Sequence, residues 1–190
     1  MIAISFDDGP DAANTPRILE LLRANGVEAA FFCIGRCIPG NGQLLKQMDS
    51  GGHIIGNHTF SHHYWFDMFS AKKMLADMRQ MDELTNDAIG KKPKLFRPPY
   101  GVTNPNLKKA IIEGKYIPVG WSVRSLDTVI KNEERLLQKV TAGLQPGAVF
   151  LFHDTSPATL AILSPFIKHA QTNGYQIVRP DKLLNLQPYA

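Results

Sequence analysis

The sequence predicts an α/β fold, a shortened or distorted β/α barrel, on three observations. Seven short apolar runs alternate with six or seven amphipathic stretches along the whole chain. Paired aspartates, histidines and an arginine fall directly after apolar runs, where strands of such folds hand over to loops. At 190 residues the chain is also short of the roughly 250 that a regular eight-fold barrel takes. An open doubly wound sheet is the alternative architecture, and it too gathers chemistry at strand ends.

Ile2 to Phe6 reads as the first strand. A helix follows, with Asn14 or Thr15 as cap, Pro16 in its first turn and Ile18, Leu19 and Leu22 on its apolar face. Ala29 to Ile34 is the next strand, and a helix through Leu44, Leu45 and Met48 stops at Gly51-Gly52. After a short strand at His53 to Ile55 comes the longest helix, Ala71 to Ala88. Its Met74, Leu75, Met78, Met81, Leu84 and Ala88 recur at steps of three and four, as one buried stripe does. Strands are predicted at Lys94–Phe96, Tyr116–Val119, Ala148–Phe152 and Tyr175–Val178, with helices at Pro105–Glu113, Glu133–Ala142 and Leu160–Asn173. No repeat or linker interrupts the pattern, so residues 1–190 read as a single domain.

Composition narrows the function classes. With 44% hydrophobic and 20% charged residues the chain is an ordinary globular one, and its formal charge of +4 contains no long run of like sign. Lys91, Lys92 and Lys94, interrupted by Pro93, read as a solvated loop rather than a nucleic-acid patch, and no nucleic-acid partner is expected. Cys33 and Cys37 are too few for a disulfide scaffold, and Cys33 lies in an apolar run as a buried thiol would. No segment approaches the roughly 20 apolar residues of a membrane span. If Met1 is the natural start the expected location is cytoplasmic; with a trimmed export signal it is the envelope or exterior. Oligomeric state is not legible.

Four segments carry candidate chemistry. Asp7 and Asp8, followed by Gly9-Pro10, put two carboxylates in one loop after the first strand, although paired aspartates also serve as plain turn residues. His58 and His62 are four apart; on a helical turn they share a face and grip one ion, with His63 rotated away. Two imidazoles and a carboxylate make a divalent-metal site with open positions. The same ligand set also serves non-haem iron oxygenases, and what points to hydrolysis is the acid beside it, placed to take a proton from bound water. Arg97, in Phe96-Arg97-Pro98-Pro99-Tyr100-Gly101, can hold an acid ionised, or else form a surface ion pair. His153 ends the run Val149 to Phe152, and a histidine, which ordinarily titrates near neutrality, can be a general acid there, although a lone one is more often structural.

Together these segments resemble the polysaccharide deacetylase family, the NodB-homology domains of carbohydrate esterase family four. Five motifs occur in the family's order from Ser5 to His153, with connecting signatures at Asn25–Phe32 and Gly52–Thr59. The resemblance implies a distorted (β/α)7, TIM-barrel-like fold and a metal-dependent hydrolase that releases acetate from an N-acetylated glycan. It implies Asp8, His58 and His62 as metal ligands, Asp7 as catalytic base and Arg97 as its brace. The Tyr100 N–H would help form the oxyanion hole, Leu151 would line the acetyl pocket, and His153, oriented by Asp127, would be the general acid. Zinc is the expected metal, with cobalt, nickel and manganese also suited to the donor set. Where the family often reads Asp-x-x-Asp-Trp, this chain has Arg124-Ser125-Leu126-Asp127-Thr128, so Arg124 replaces an acid and Thr128 an aromatic wall. The alternatives are an O-acetyl esterase or small-amide hydrolase on the same scaffold, and an inactive carbohydrate-binding module. The aromatic run His63-Tyr64-Trp65-Phe66 suits either sugar stacking or core packing.

Overall fold

The computed structural model describes residues 1–190. Its elements run β1 Ile2–Asp7, α1 Thr15–Ala24, β2 Ala30–Cys33, α2 Gly42–Ser50, β3 Ile54–Asn57, α3 Ala71–Ile89 and β4 Leu95–Phe96. There follow α4 Pro105–Gly114, β5 Ile117–Pro118, β6 Val123–Arg124, α5 Glu133–Ala142, β7 Val149–His153, α6 Pro157–Thr172, β8 Ile177–Val178 and α7 Pro180–Leu184. Every strand pairing is parallel, in the order β5-β4-β3-β2-β1-β7-β6, while β8 pairs with the first two residues of β1.

The sheet is a barrel left open at one seam. β5 and β6 are its two edges and do not bond each other, yet only residues 119–122 connect them. A connection from Pro118 to Val123 spans at most about 18 Å even when fully extended. Edges of a seven-strand sheet can meet that limit only if the sheet curls round. This seam corrects the predicted count: there are eight strands, because the two-residue β6 follows β5 without an intervening helix. A two-residue strand held only by its pairing to β7 leaves no periodic trace in sequence.

β1, flanked by β2, β7 and β8, alternates between two surroundings. Ile2, Ile4 and Phe6 face the helical layer with Ile18, Leu22, Phe166 and Ile167, all buried, and Phe6 stacks on Phe31 at 4.9 Å between ring centres. On the other face Ala30, Phe32, Ile54, Leu95 and Val119 fill the barrel interior. The long helix α3 buries Met74, Met78 and Met81, as its periodicity predicts, and it is started by Ser70, whose hydroxyl accepts from the Lys73 N–H.

Two helix starts differ from expectation. Asn14 is the cap position of α1 but makes no side-chain capping bond. The carboxylate of Asp11 accepts from the Ala13 and Asn14 N–H groups instead. α6 begins at Pro157, three residues before the predicted start, because proline suits a first helical turn. The five-residue α7 has no counterpart in the sequence reading.

Candidate active site

Strand register builds the site. Asp7 is paired with His153 across β1 and β7, and Asn57 with Phe96 across β3 and β4. The residues that follow, Asp8, His58 and Arg97, therefore emerge together from the C-terminal rim of the barrel. The Arg97 N–H donates to the Asn57 carbonyl (2.9 Å), which fixes Arg97 beside His58.

His58 and His62 converge, but not on a helix. β3 ends at Asn57, and the loop beyond it takes left-handed backbone at Thr59 (φ 69°) and His62 (φ 44°). The helical-turn geometry expected from their spacing is thus corrected: reversals of the loop, not a 3.6-residue period, bring the rings within 4.9 Å. A β-branched residue in this conformation is costly and persists only where its surroundings over-determine it. Here the Thr59 N–H donates to Asn57 Oδ1 (2.8 Å), its carbonyl accepts from Gly35, and its hydroxyl accepts from the His62 N–H. Asp77 of α3 accepts from the Phe60 and Ser61 N–H groups and ties the loop down. His63 is exposed, its ring tilted against that of Phe69 at 5.2 Å between centres.

Asp8 Oδ1 lies 3.5 Å from His58 Nε2 and 3.4 Å from His62 Nε2, and one donor atom from each of the three residues falls within a 4.8 Å sphere of mutual distance. Ligands about 2.0–2.1 Å from a tetrahedral ion stand roughly 3.3 Å apart, so the spacing fits a divalent metal. The donor chemistry fits as well. His58 Nδ1 is 2.7 Å from the Arg97 carbonyl, to which it donates, so that in the neutral ring Nε2, turned towards Asp8, is the nitrogen available to a metal. Burial raises the Asp8 pKa, but the neighbouring imidazoles of His58, His153 and His62 outweigh it and hold the carboxyl below its ordinary value.

Asp7 is buried, and its Oδ1 accepts from Arg97 Nη1 at 2.7 Å. Arg97 has no exposed surface; it also donates to Ser5 Oγ, the Val119 carbonyl and the Gly120 carbonyl, and lies over the Phe32 ring at 4.0 Å. The surface-pair alternative is therefore excluded. Asp7 Oδ2 remains near the cluster, 3.8 Å from His58 Nε2.

His153 faces Asp8 from the other strand, Nε2 to Oδ2 at 3.9 Å. Its Nδ1 and backbone N–H both bond to Asp127, each at 2.7 Å. Burial lowers the His153 pKa, but the Asp127 carboxylate more than offsets this and the net shift is upward. Asp127 also accepts from Thr159, a contributor on α6 that sequence inspection missed because nothing local marks it.

Leu151 and Tyr100 line the same hollow, which encloses about 180 Å³ with Asp7, Asp8, His58, His62 and His153. Tyr100 has φ 58°, and its N–H donates to no protein group. Thr128 lines the hollow without an aromatic ring, and Trp121, in the seam between β5 and β6, lines it too. Gly101 makes room for it, since a Cβ there would lie 2.6 Å from the indole.

Comparison with known proteins shows the family to which the chain belongs. The sequence profile described as polysaccharide deacetylase matches residues 1–116. The peptidoglycan-N-acetylglucosamine deacetylase PgdA of Listeria monocytogenes is 32% identical over 96% of this chain, which spans only 38% of that protein's length. The peptidoglycan-N-acetylmuramic acid deacetylase PdaA of Bacillus subtilis is 30% identical, with 96% of this chain and 71% of its own length covered. The solved structure of the Bacillus subtilis peptidoglycan deacetylase PdaC superposes with a TM-score of 0.91 at 29% identity, covering 97% of this chain and 90% of that one.

Proposed function

We propose that this chain, which belongs to the polysaccharide deacetylase family, hydrolyses the N-acetyl groups of an amino-sugar polymer and releases acetate. The observation that carries the reading is the convergence of Asp8, His58 and His62, flanked by an Arg97-bound Asp7 and an Asp127-bound His153. The relatives' names, taken from peptidoglycan chemistry, support an N-acetylated glycan as substrate.

Asp8, His58 and His62 would hold the metal, zinc first among the ions that suit two nitrogens and an oxygen. When bound, such an ion supplies Lewis acidity, acidifying a water and polarising the acetyl carbonyl. Asp7 accepts the water's proton on Oδ2, because Arg97 occupies Oδ1 and fixes the orientation of the carboxylate. The free Tyr100 N–H donates to the oxygen that gains charge as the carbonyl carbon is attacked, an interaction typically worth about 3 kcal/mol. Leu151, buried in the hollow, receives the acetyl methyl. His153, kept protonated by Asp127, delivers a proton from Nε2 to the departing nitrogen. An amine leaves poorly without that proton, whereas an alkoxide needs it less.

Acetate release from N-acetylglucosamine oligomers and from O-acetylated xylan, measured side by side with metal-reconstituted protein, tests the proposal. Faster release from the amide substrate is expected. Release from the ester alone would replace the reading with an esterase, and release from neither, with metal bound, would leave a binding module.

A further inference from the structure

Arg124 belongs to two hollows at once. It lines the 180 Å³ pocket that holds Asp8, His58 and His153, and it lines an adjoining open groove of about 680 Å³ with Lys139, Ser122 and Gln145. Its position is set by β6, where Arg124 is the register partner of Leu151 on β7. The side chain is exposed and Lys139 is half-buried. Neither makes an ion pair or a side-chain hydrogen bond, and no aspartate or glutamate lines the groove. The acids of the pocket do not compensate Arg124 either, since Asp7 is taken by Arg97 and Asp8 faces three imidazoles.

We propose that Arg124, backed by Lys139, is a specificity residue that binds a carboxylate carried by the glycan on, or next to, the sugar whose acetamido group reacts. A guanidinium presents a planar fork of donors that matches a carboxylate in two parallel bonds, and a second cation in the same groove adds to the field. Thr128 flanks this wall with a short side chain, which leaves room for a substituent. The inference rests on the deacetylase reading for its substrate but not for its binding chemistry. Two sources supply such a group: an ether-linked lactyl carboxylate on the reacting sugar, as in N-acetylmuramic acid, or a uronic acid as the neighbouring residue.

The test compares wild type, Arg124→Gln, Arg124→Lys and Lys139→Gln on three oligomers. These are one of N-acetylglucosamine, one containing N-acetylmuramic acid, and one alternating N-acetylglucosamine with glucuronic acid. Wild type is expected to favour at least one acidic oligomer, and which one identifies the source. Arg124→Gln should lower the acidic-to-neutral ratio of kcat/KM by about tenfold or more, mainly through KM, and Arg124→Lys should restore part of it. Lys139→Gln should lower it less. The wild-type ratio should shrink as salt is raised from about 50 mM to about 500 mM. A ratio unchanged in Arg124→Gln, or a wild type that prefers the neutral oligomer, overturns the proposal. In parallel, muramic acid, glucuronic acid and glucosamine are titrated against wild type and Arg124→Gln. If no oligomer releases acetate, the deacetylase reading falls, and loss of acid binding in Arg124→Gln still decides for or against the subsite.

Discussion

Arg97 and Asp7, 90 residues apart in the chain, meet at 2.7 Å with side-chain exposures of 0% and 5%. The guanidinium touches only one carboxylate oxygen of Asp7, and it spends its other donors on Ser5, Val119 and Gly120. Asp7 is thereby oriented and left with one oxygen facing the cluster of Asp8, His58 and His62.

Truncating Arg97 should therefore damage the fold as well as the chemistry. Removing one partner of a buried ion pair typically costs about 3–5 kcal/mol, so Arg97→Met is expected to shift the urea midpoint strongly downward. Arg97→Lys keeps a charge but loses the fork. It should retain bound metal while kcat/KM drops about 10- to 100-fold. An unchanged urea midpoint for Arg97→Met would show that the pair is not the anchor described.

The two adjacent aspartates should separate under mutation. Asp8→Ala and His58→Ala are expected to lose bound metal and turnover together. Asp7→Asn should keep about one metal per chain while turnover falls roughly 10²- to 10⁴-fold, the usual worth of a positioned base. Metal content by elemental analysis beside acetate release checks this, and a metal-free Asp7→Asn protein would mean the two acids had exchanged roles.

The His153–Asp127 pair carries a pH signature. Burial disfavours both charges, yet their mutual bond raises the His153 pKa above 6.5 and lowers that of Asp127 below 3.8. Its stabilisation is then complete between about pH 3.8 and 6.5. It fades as pH falls through the lowered Asp127 value or rises through the raised His153 value. Asp127→Asn should move the alkaline limb of kcat towards lower pH and cut the rate at its maximum. A limb that stays in place would assign it to another group.

Asp154 should work against stability. It is 1% exposed, accepts from the Thr15 hydroxyl on one oxygen and leaves the other unpartnered. Burial pushes its pKa up to about 7, with Asp8 and Asp11 adding repulsion. An acid whose folded pKa is raised loses stability as pH climbs from about 3.8 to about 7, because only the unfolded chain releases the proton. Asp154→Asn should flatten that slope and raise Tm at pH 8. Parallel Tm–pH curves for the two proteins would rule the assignment out. The carboxyl also explains Gly9, where a Cβ would fall 2.0 Å from Asp154 Oδ2.

Much was legible in the amino-acid sequence. Apolar period placed seven of the eight strands and the main helices within a few residues, and the methionine stripe of α3 was read as core, where it lies. Asp7, Asp8, His58, Arg97 and His153 could be singled out as candidates because they follow apolar runs, and strand ends are local features, whereas their roles, and Asp127 and His62 beside them, rest on the family resemblance. What tertiary structure alone decided was direction and company. His58 and His62 meet through left-handed turns at Thr59 and His62, a conformation that side-chain types do not announce. Trp121, Thr159 and Asp77 join the site from segments with no motif of their own. The closure at residues 119–122 and the place of Arg124 between two hollows likewise depend on how the sheet curls. Local pattern specifies which face a residue takes on its own element, whereas register and curvature between distant strands specify what that face meets.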